Sequence, residues 1–194
     1  MKNKIIFCAL AIVLLSSCGP DPGTSEDYAA TVAEGWTFFE TGSYPQAKER
    51  FRAAIAIDPA FSEAFTGLAW SQMKTDSLDE AVTVFSLGSA TSDATADLWA
   101  GWAFTEHALK QYTASNGRIT NALAADANWI FSHTTGLSVS DLRVLTAENH
   151  FAIGSYAASL SAVQLLNAAF TADVTTTAGQ SALAAEIERL KGIN

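Results

Sequence analysis

The chain has 194 residues, 49% of them hydrophobic, with a formal net charge of −9. That length is enough for a continuous core. The balance of 20 Asp and Glu against 11 Lys and Arg leaves no basic footprint for nucleic acid, and anionic surfaces should repel the chain.

The first stretch, Met1 to Ser17, reads as a targeting segment. Lys2 and Lys4 precede an apolar run from Ile5 to Leu15, which is too short to span a bilayer as a helix and fits a secretory signal. The following Leu15-Ser16-Ser17-Cys18 resembles the bacterial lipobox. The resemblance implies cleavage before Cys18, lipid on its sulfur and acylation of the new amine. Several acyl chains on one residue make a stable membrane anchor. Gly19 in place of Asp after the cysteine is similar to the sorting signal of some Gram-negative bacteria for the outer membrane, with the leaflet left open. The alternative is an ordinary secretory signal with an incidental cysteine. Of the two cysteines, Cys8 would leave with the signal and Cys18 would carry lipid, so no disulfide is expected. Two of the 11 basic residues would leave as well, giving 9 − 20 = −11 for residues 18–194. Residues 18–27, containing Gly-Pro-Asp-Pro-Gly, form a flexible tether. Fully extended, its roughly ten residues reach about 30 Å.

From Tyr28 onward the chain repeats. Gly35, Phe38, Gly42, Tyr44, Ala47, Phe51 and Ala54 are followed by Asp58-Pro59. The same classes return after 34 residues at Ala69, Leu78, Ala81, Phe85 and Gly88, and again at Ala103, Tyr112, Ser115, Ile119 and Ala122. This period resembles the tetratricopeptide repeat, a pair of antiparallel helices. Trp99 matches the tryptophan that begins that family's pattern. The resemblance implies an all-α solenoid of three to four helical hairpins closed by a C-terminal helix. The units are 28–61, 62–95 and 96–129. Asp93 stands where the second unit has lost the proline, and Asp76 where its turn glycine belongs. Ser43 with Gln46, and Ser77 with Glu80, read as capping boxes. Gly117 falls inside a helix, where it should cost about 1 kcal/mol relative to alanine.

After Asp126 the register breaks. Asn128 to Val139 is turn-rich and carries Trp129, Ile130 and Phe131 in a row. An insertion of about 130–139 precedes a divergent unit at 140–173, in which Ser159 lies 44 residues after Ser115. That unit is either a fourth repeat or an ordinary helical hairpin packed on the array. Residues 174–194 are a loop and a final amphipathic helix, apolar at Leu183, Ile187 and Leu190, suited to cover the array's last face.

In the tetratricopeptide family, the face of each first helix opposite the core stripe lines a concave groove that binds peptides or helices. Carried over, that face holds Trp36, Trp70 and Phe104, then Phe39, Met73 and His107, with Glu63, Asp97 and Asp141 along an acidic edge. The rings are either a partner-binding ladder or core shared by neighbouring helices. The family's Lys and Asn clamp for a terminal carboxylate is missing, with only Lys74 in a plausible position, so an apolar or basic partner segment fits better. No nucleophile elbow, phosphate-binding glycine loop or zinc spacing appears, so no catalytic residue, metal or cofactor is expected. His133 could meet Asp141, Glu148 and His150 only if the insertion folded onto the fourth unit. Two functions follow as expectations. The first is a lipid-anchored envelope scaffold that binds a partner protein in its groove. The second is a small-ligand or glycan-binding lipoprotein that stacks its ligand on Trp129 and Phe131. Self-association through open ends or exposed rings is a third possibility.

Overall fold

A computed structural model describes residues 25–133 and 136–192. The signal segment, Cys18 and all but the end of the tether lie outside the described residues. Among those described, nine α-helices follow in order: α1 Ser25–Glu40, α2 Tyr44–Ile57, α3 Ser62–Met73, α4 Leu78–Gly88, α5 Ala96–Ala108, α6 Tyr112–Ala125, α7 Val139–Ala152, α8 Tyr156–Gln164 and α9 Thr177–Lys191. An isolated antiparallel bridge joins Ile130 to Ser138. None of these helices is long and apolar enough to cross a membrane.

Consecutive helices pack as antiparallel pairs, and each pair packs on the next. The first helices α1, α3, α5 and α7 also touch along the array, whereas α2, α4, α6 and α8 do not touch one another. Close first helices and splayed second helices curve the stack, which puts α1, α3, α5 and α7 on the concave side. The architecture is the expected all-α solenoid.

One turn closes all four hairpins. Gly42 has φ 76°, Asp76 59°, Lys110 61° and Gly154 76°. In the first, the Ser43 amide donates to Phe38 O at 2.8 Å and the Gly42 amide to Phe39 O at 3.0 Å. This is the left-handed helix stop that satisfies the last free carbonyls. The same pair of bonds recurs at Ser77 and Asp76, at Gln111 and Lys110, and at Ser155 and Gly154. The turn therefore survives where Asp76 and Lys110 replace glycine. It recurs in the α7–α8 pair, as does a buried serine bond: Ser115 Oγ donates to Ala103 O at 2.8 Å, and Ser159 Oγ to Ala147 O at 2.7 Å.

The capping boxes expected at Ser43 and Ser77 do not form. Neither hydroxyl caps its helix, and ψ at these residues is 57° and 63° rather than extended. The turn dictates this, because their amides are held by the preceding helix. A capping box forms instead at Ser138, whose backbone amide donates to Asp141 Oδ2 at 2.8 Å. Asp93, in place of proline, also has a structural task. Its carboxylate accepts the Ser62 amide at 3.0 Å, answering a free N–H at the start of α3.

The core is a run of rings wedged against helix backbones. Phe51 lies between Gly35 and Gly67, and a Cβ added at Gly35 would meet its ring at 2.7 Å, with Gly67 closer still. Phe85 stands in the same way against Gly101. At the other end, Leu183, Ile187 and Leu190 of α9 pack on Val144, Ala147 and Val163, so α9 covers the last pair. Glu186 on α9 accepts from Asn167 Nδ2 at 2.8 Å and pairs with Arg189. Those bonds hold its carboxyl down at about 2.

Two substitutions separate wedge from surface. Gly67→Ala forces Phe51 to shift and should destabilise the fold by about 1–3 kcal/mol. Gly117, with open space around it, should gain about 0.5–1 kcal/mol when replaced by alanine. Urea unfolding of both variants checks the opposite signs.

Candidate partner-binding groove

The concave face carries the expected residues, but half of it is already filled. Trp36, Phe39 and Trp70 are buried, while Met73, Phe104 and His107 are half-buried. What covers the first three is the segment after α6. The Phe131 amide donates to Leu137 O at 3.0 Å and the Val139 amide to Trp129 O at 2.7 Å, which folds the segment back as a short hairpin. Its side chains alternate as in a strand. Trp129, Phe131 and His133 turn into the groove, while Ile130 turns outward and is 71% exposed.

The inward rings stack on the ladder. Phe131 lies on Trp70 with centroids 4.3 Å apart and planes at 17°. His133 lies on Trp36 at 3.6 Å and 1°. Phe131 also meets Trp36 and Phe39 edge-on, and Trp129 meets Phe104. Trp129 is 1% and Phe131 2% exposed. Each such burial contributes about 1.5–3 kcal/mol.

The acidic edge is used internally. Trp129 Nε1 donates to Asp97 Oδ1 at 2.6 Å, and Trp36 Nε1 to Glu63 Oε1 at 3.2 Å. Trp70 Nε1 donates to the Asp97 carbonyl at 3.0 Å. Asp141 caps α7. Burial raises the Asp97 carboxyl above its ordinary range, and the Trp129 bond opposes that rise. His133 Nδ1 lies 2.9 Å from Glu40 Oε1 on α1.

These contacts bear on two alternatives that the sequence leaves open. Trp129 and Phe131 offer no open face to a sugar, because both rings are spent inside the groove. His133 does not meet Asp141, Glu148 or His150, because the hairpin folds onto the first three units rather than the fourth. Among the described residues, no group of three or more His, Cys, Asp or Glu could hold a metal.

The far half of the concave side is open. Between α5, the start of α6, α7 and α9 lies a pocket of about 280 Å³ lined by His107, Tyr112, Glu148, Phe151, Ile187 and Glu188. A smaller one of about 190 Å³ adjoins it at Phe104, Asp141, Glu148 and Lys191. The sequence pattern pointed to His107, Phe104 and Asp141 but missed Tyr112, Phe151, Glu148 and α9. A polar network stands behind the wall. Asn149, fully buried, donates from Nδ2 to Ser115 Oγ at 2.9 Å and to Asn116 Oδ1 at 3.0 Å. Its Oδ1 lies 2.7 Å from His107 Nδ1. Lys191 Nζ sits 2.7 Å from Glu148 Oε1, and that carboxylate holds the ammonium above its usual range.

Residues 38–101 match a family model described as tetratricopeptide repeat. The fold is a tetratricopeptide-repeat solenoid. Among solved structures it is similar to YrrB, described as a TPR protein with an unusual peptide-binding site. That match has TM-score 0.67 and 11% identity, over 88% of this chain and 90% of that one. It is similar to MamA at TM-score 0.64 and 11% identity, over 87% and 90% of the two chains. It is also similar to the first TPR of Spaghetti (RPAP3) bound to an HSP90 peptide, at TM-score 0.55 and 16% identity, over 64% and 94%. No curated protein matches the chain.

The hairpin contacts make a direct prediction. Phe131→Ala empties the seat on Trp70 and should cost about 3–5 kcal/mol. Ile130→Ala, on the exposed side, should stay within about 0.5 kcal/mol of the parent. Denaturant titration of the two variants measures the difference.

Proposed function

We propose that this chain is a lipid-anchored scaffold of the bacterial cell envelope that receives a segment of a partner protein in the open half of its concave groove. One observation carries the choice of site. The chain's own hairpin occupies the half against α1 and α3, while the pocket among His107, Tyr112, Phe151 and Glu148 stays accessible. Peptide binding by similar solenoids, such as the TPR of Spaghetti with its HSP90 peptide, supports this use of the fold. The acidic chain and the carboxylates of Glu148 and Glu188 favour an apolar or basic segment. The anchor rests on Leu15-Ser16-Ser17-Cys18, and Gly19 favours the outer membrane. Catalysis, cofactors and nucleic acid have no part in this proposal.

Two measurements in cells test it. Cys18→Ser should move the protein out of the membrane fraction; unchanged membrane association would remove the anchor. A photo-reactive residue at Ala184, on the pocket wall, should give a discrete adduct with one protein, and Glu148→Gln should weaken that adduct. The same probe at Gly117, on open surface, should give none. Equal adducts from both positions, or none from Ala184, would overturn the site.

A further inference from the structure

The pocket between α5, α7 and α9 has a polarity that selects its occupant. Asn149 fixes the ring of His107. The Ser115 hydroxyl donates to Ala103 O, so it can only accept from Asn149 Nδ2. Asn149 Oδ1 is then an acceptor, and His107 Nδ1 must donate to it. His107 Nε2, on the pocket side, lies 3.9 Å from Glu148 Oε2. Glu148 and Glu188 add two carboxylates to the lining, and Tyr112 and Phe151 add aromatic rings. Carboxylates and ring faces together recognise a cation.

The protein already places a cation against the shared wall, from the adjoining smaller pocket. Lys191 Nζ lies 2.7 Å from Glu148 Oε1 and 3.5 Å from Glu188 Oε1. One ammonium answers two carboxylates, so negative charge remains. The Lys191 side chain is 44% exposed, and an ion pair that open to water is weak. The volume, about 280 Å³, has room for one long side chain.

We infer that this pocket takes an arginine or lysine side chain of the partner segment, which competes for the Glu148 carboxylate that Lys191 meets from the adjoining pocket in the free protein. The inference rests on the scaffold proposal above and specifies its ligand. Arginine fits best, because its planar fork can bind Glu148 through two N–H groups while lying on Phe151 or Tyr112. Binding draws Glu148 away from Lys191, which turns toward Glu188 and water.

The test uses the full chain in detergent and two probes, Nα-acetyl-arginine amide and the apolar Nα-acetyl-norleucine amide, followed by NMR. The arginine probe should give saturable shifts at His107, Phe151 and Ile187, and the norleucine probe should not. Glu148→Gln, nearly isosteric, should weaken arginine binding about tenfold or more. Lys191→Ala should tighten it several-fold. A purely structural role for these residues would not produce opposite signs. Equal binding of norleucine, no response to Glu148→Gln, or no tightening in Lys191→Ala overturns the inference. If it fails while the Ala184 adduct persists, the groove still binds a partner but not through a cation. If arginine binds and the adduct is missing, the pocket is right and the scaffold proposal is wrong.

Discussion

The concave side depends on the ring of Trp70. It is completely buried, its indole N–H is held by the Asp97 carbonyl, one edge rests against the Gly101 backbone, and its face carries Phe131. These contacts bind α3 to α5 and both to the hairpin. A ring of this size cannot be left facing water at the centre of a groove without either a partner or a cover, because burial is worth too much. Here the cover belongs to the same chain. The ten-residue insertion before the fourth pair is therefore an element of the core as much as a connection.

That internal cover divides the groove. On one side, tryptophan N–H groups meet acidic side chains and rings meet rings, so little hydrogen-bonding capacity is left over. On the other side, Glu148, Glu188 and His107 border a cavity with aromatic walls, and a surface lysine partly answers their charge. The third pair tolerates a buried acid by a similar device. Glu106 is met by Arg118, which in turn lies over the Trp102 ring at 3.5 Å. Burial pushes the Glu106 carboxyl up, and Arg118 opposes the rise. At Glu63, Asp97, Glu106 and Glu148, carboxylates that would repel one another in an acidic chain are placed against N–H donors or cations.

Much of the solenoid was legible because a repeat writes the same physics several times. The stripe of Ala47, Phe51 and Ala54 is buried and recurs as Ala81, Phe85 and Gly88. The turn was legible at Gly42 but hidden at Asp76 and Lys110, where backbone bonds rather than residue type hold the left-handed conformation. The groove positions came from helix geometry, so Trp36, Trp70 and Asp97 fall on the concave face. Their occupation did not come from it. In Trp129-Ile130-Phe131-Ser132-His133 the ring-bearing residues fall at every second position, but apolar Ile130 between two apolar rings breaks the apolar–polar alternation that would mark a strand-like segment with one buried face. Which surface it would cover depends on contacts between residues far apart in the sequence, such as Phe131 with Trp70, and no local pattern encodes them. The pocket was missed for the same reason, since α9 reaches it from the end of the chain.

The most direct measurement is amide hydrogen exchange of Phe131 and Val139 in the free protein. Their N–H groups are bonded across the hairpin to Leu137 O and Trp129 O. If the hairpin is built into the groove, both amides should be protected nearly as strongly as those of α3 and α5, and should exchange only when the array opens. Exchange at the rate of an open loop, while α3 and α5 stay protected, would contradict the account. The aromatic ladder would then be free for a partner.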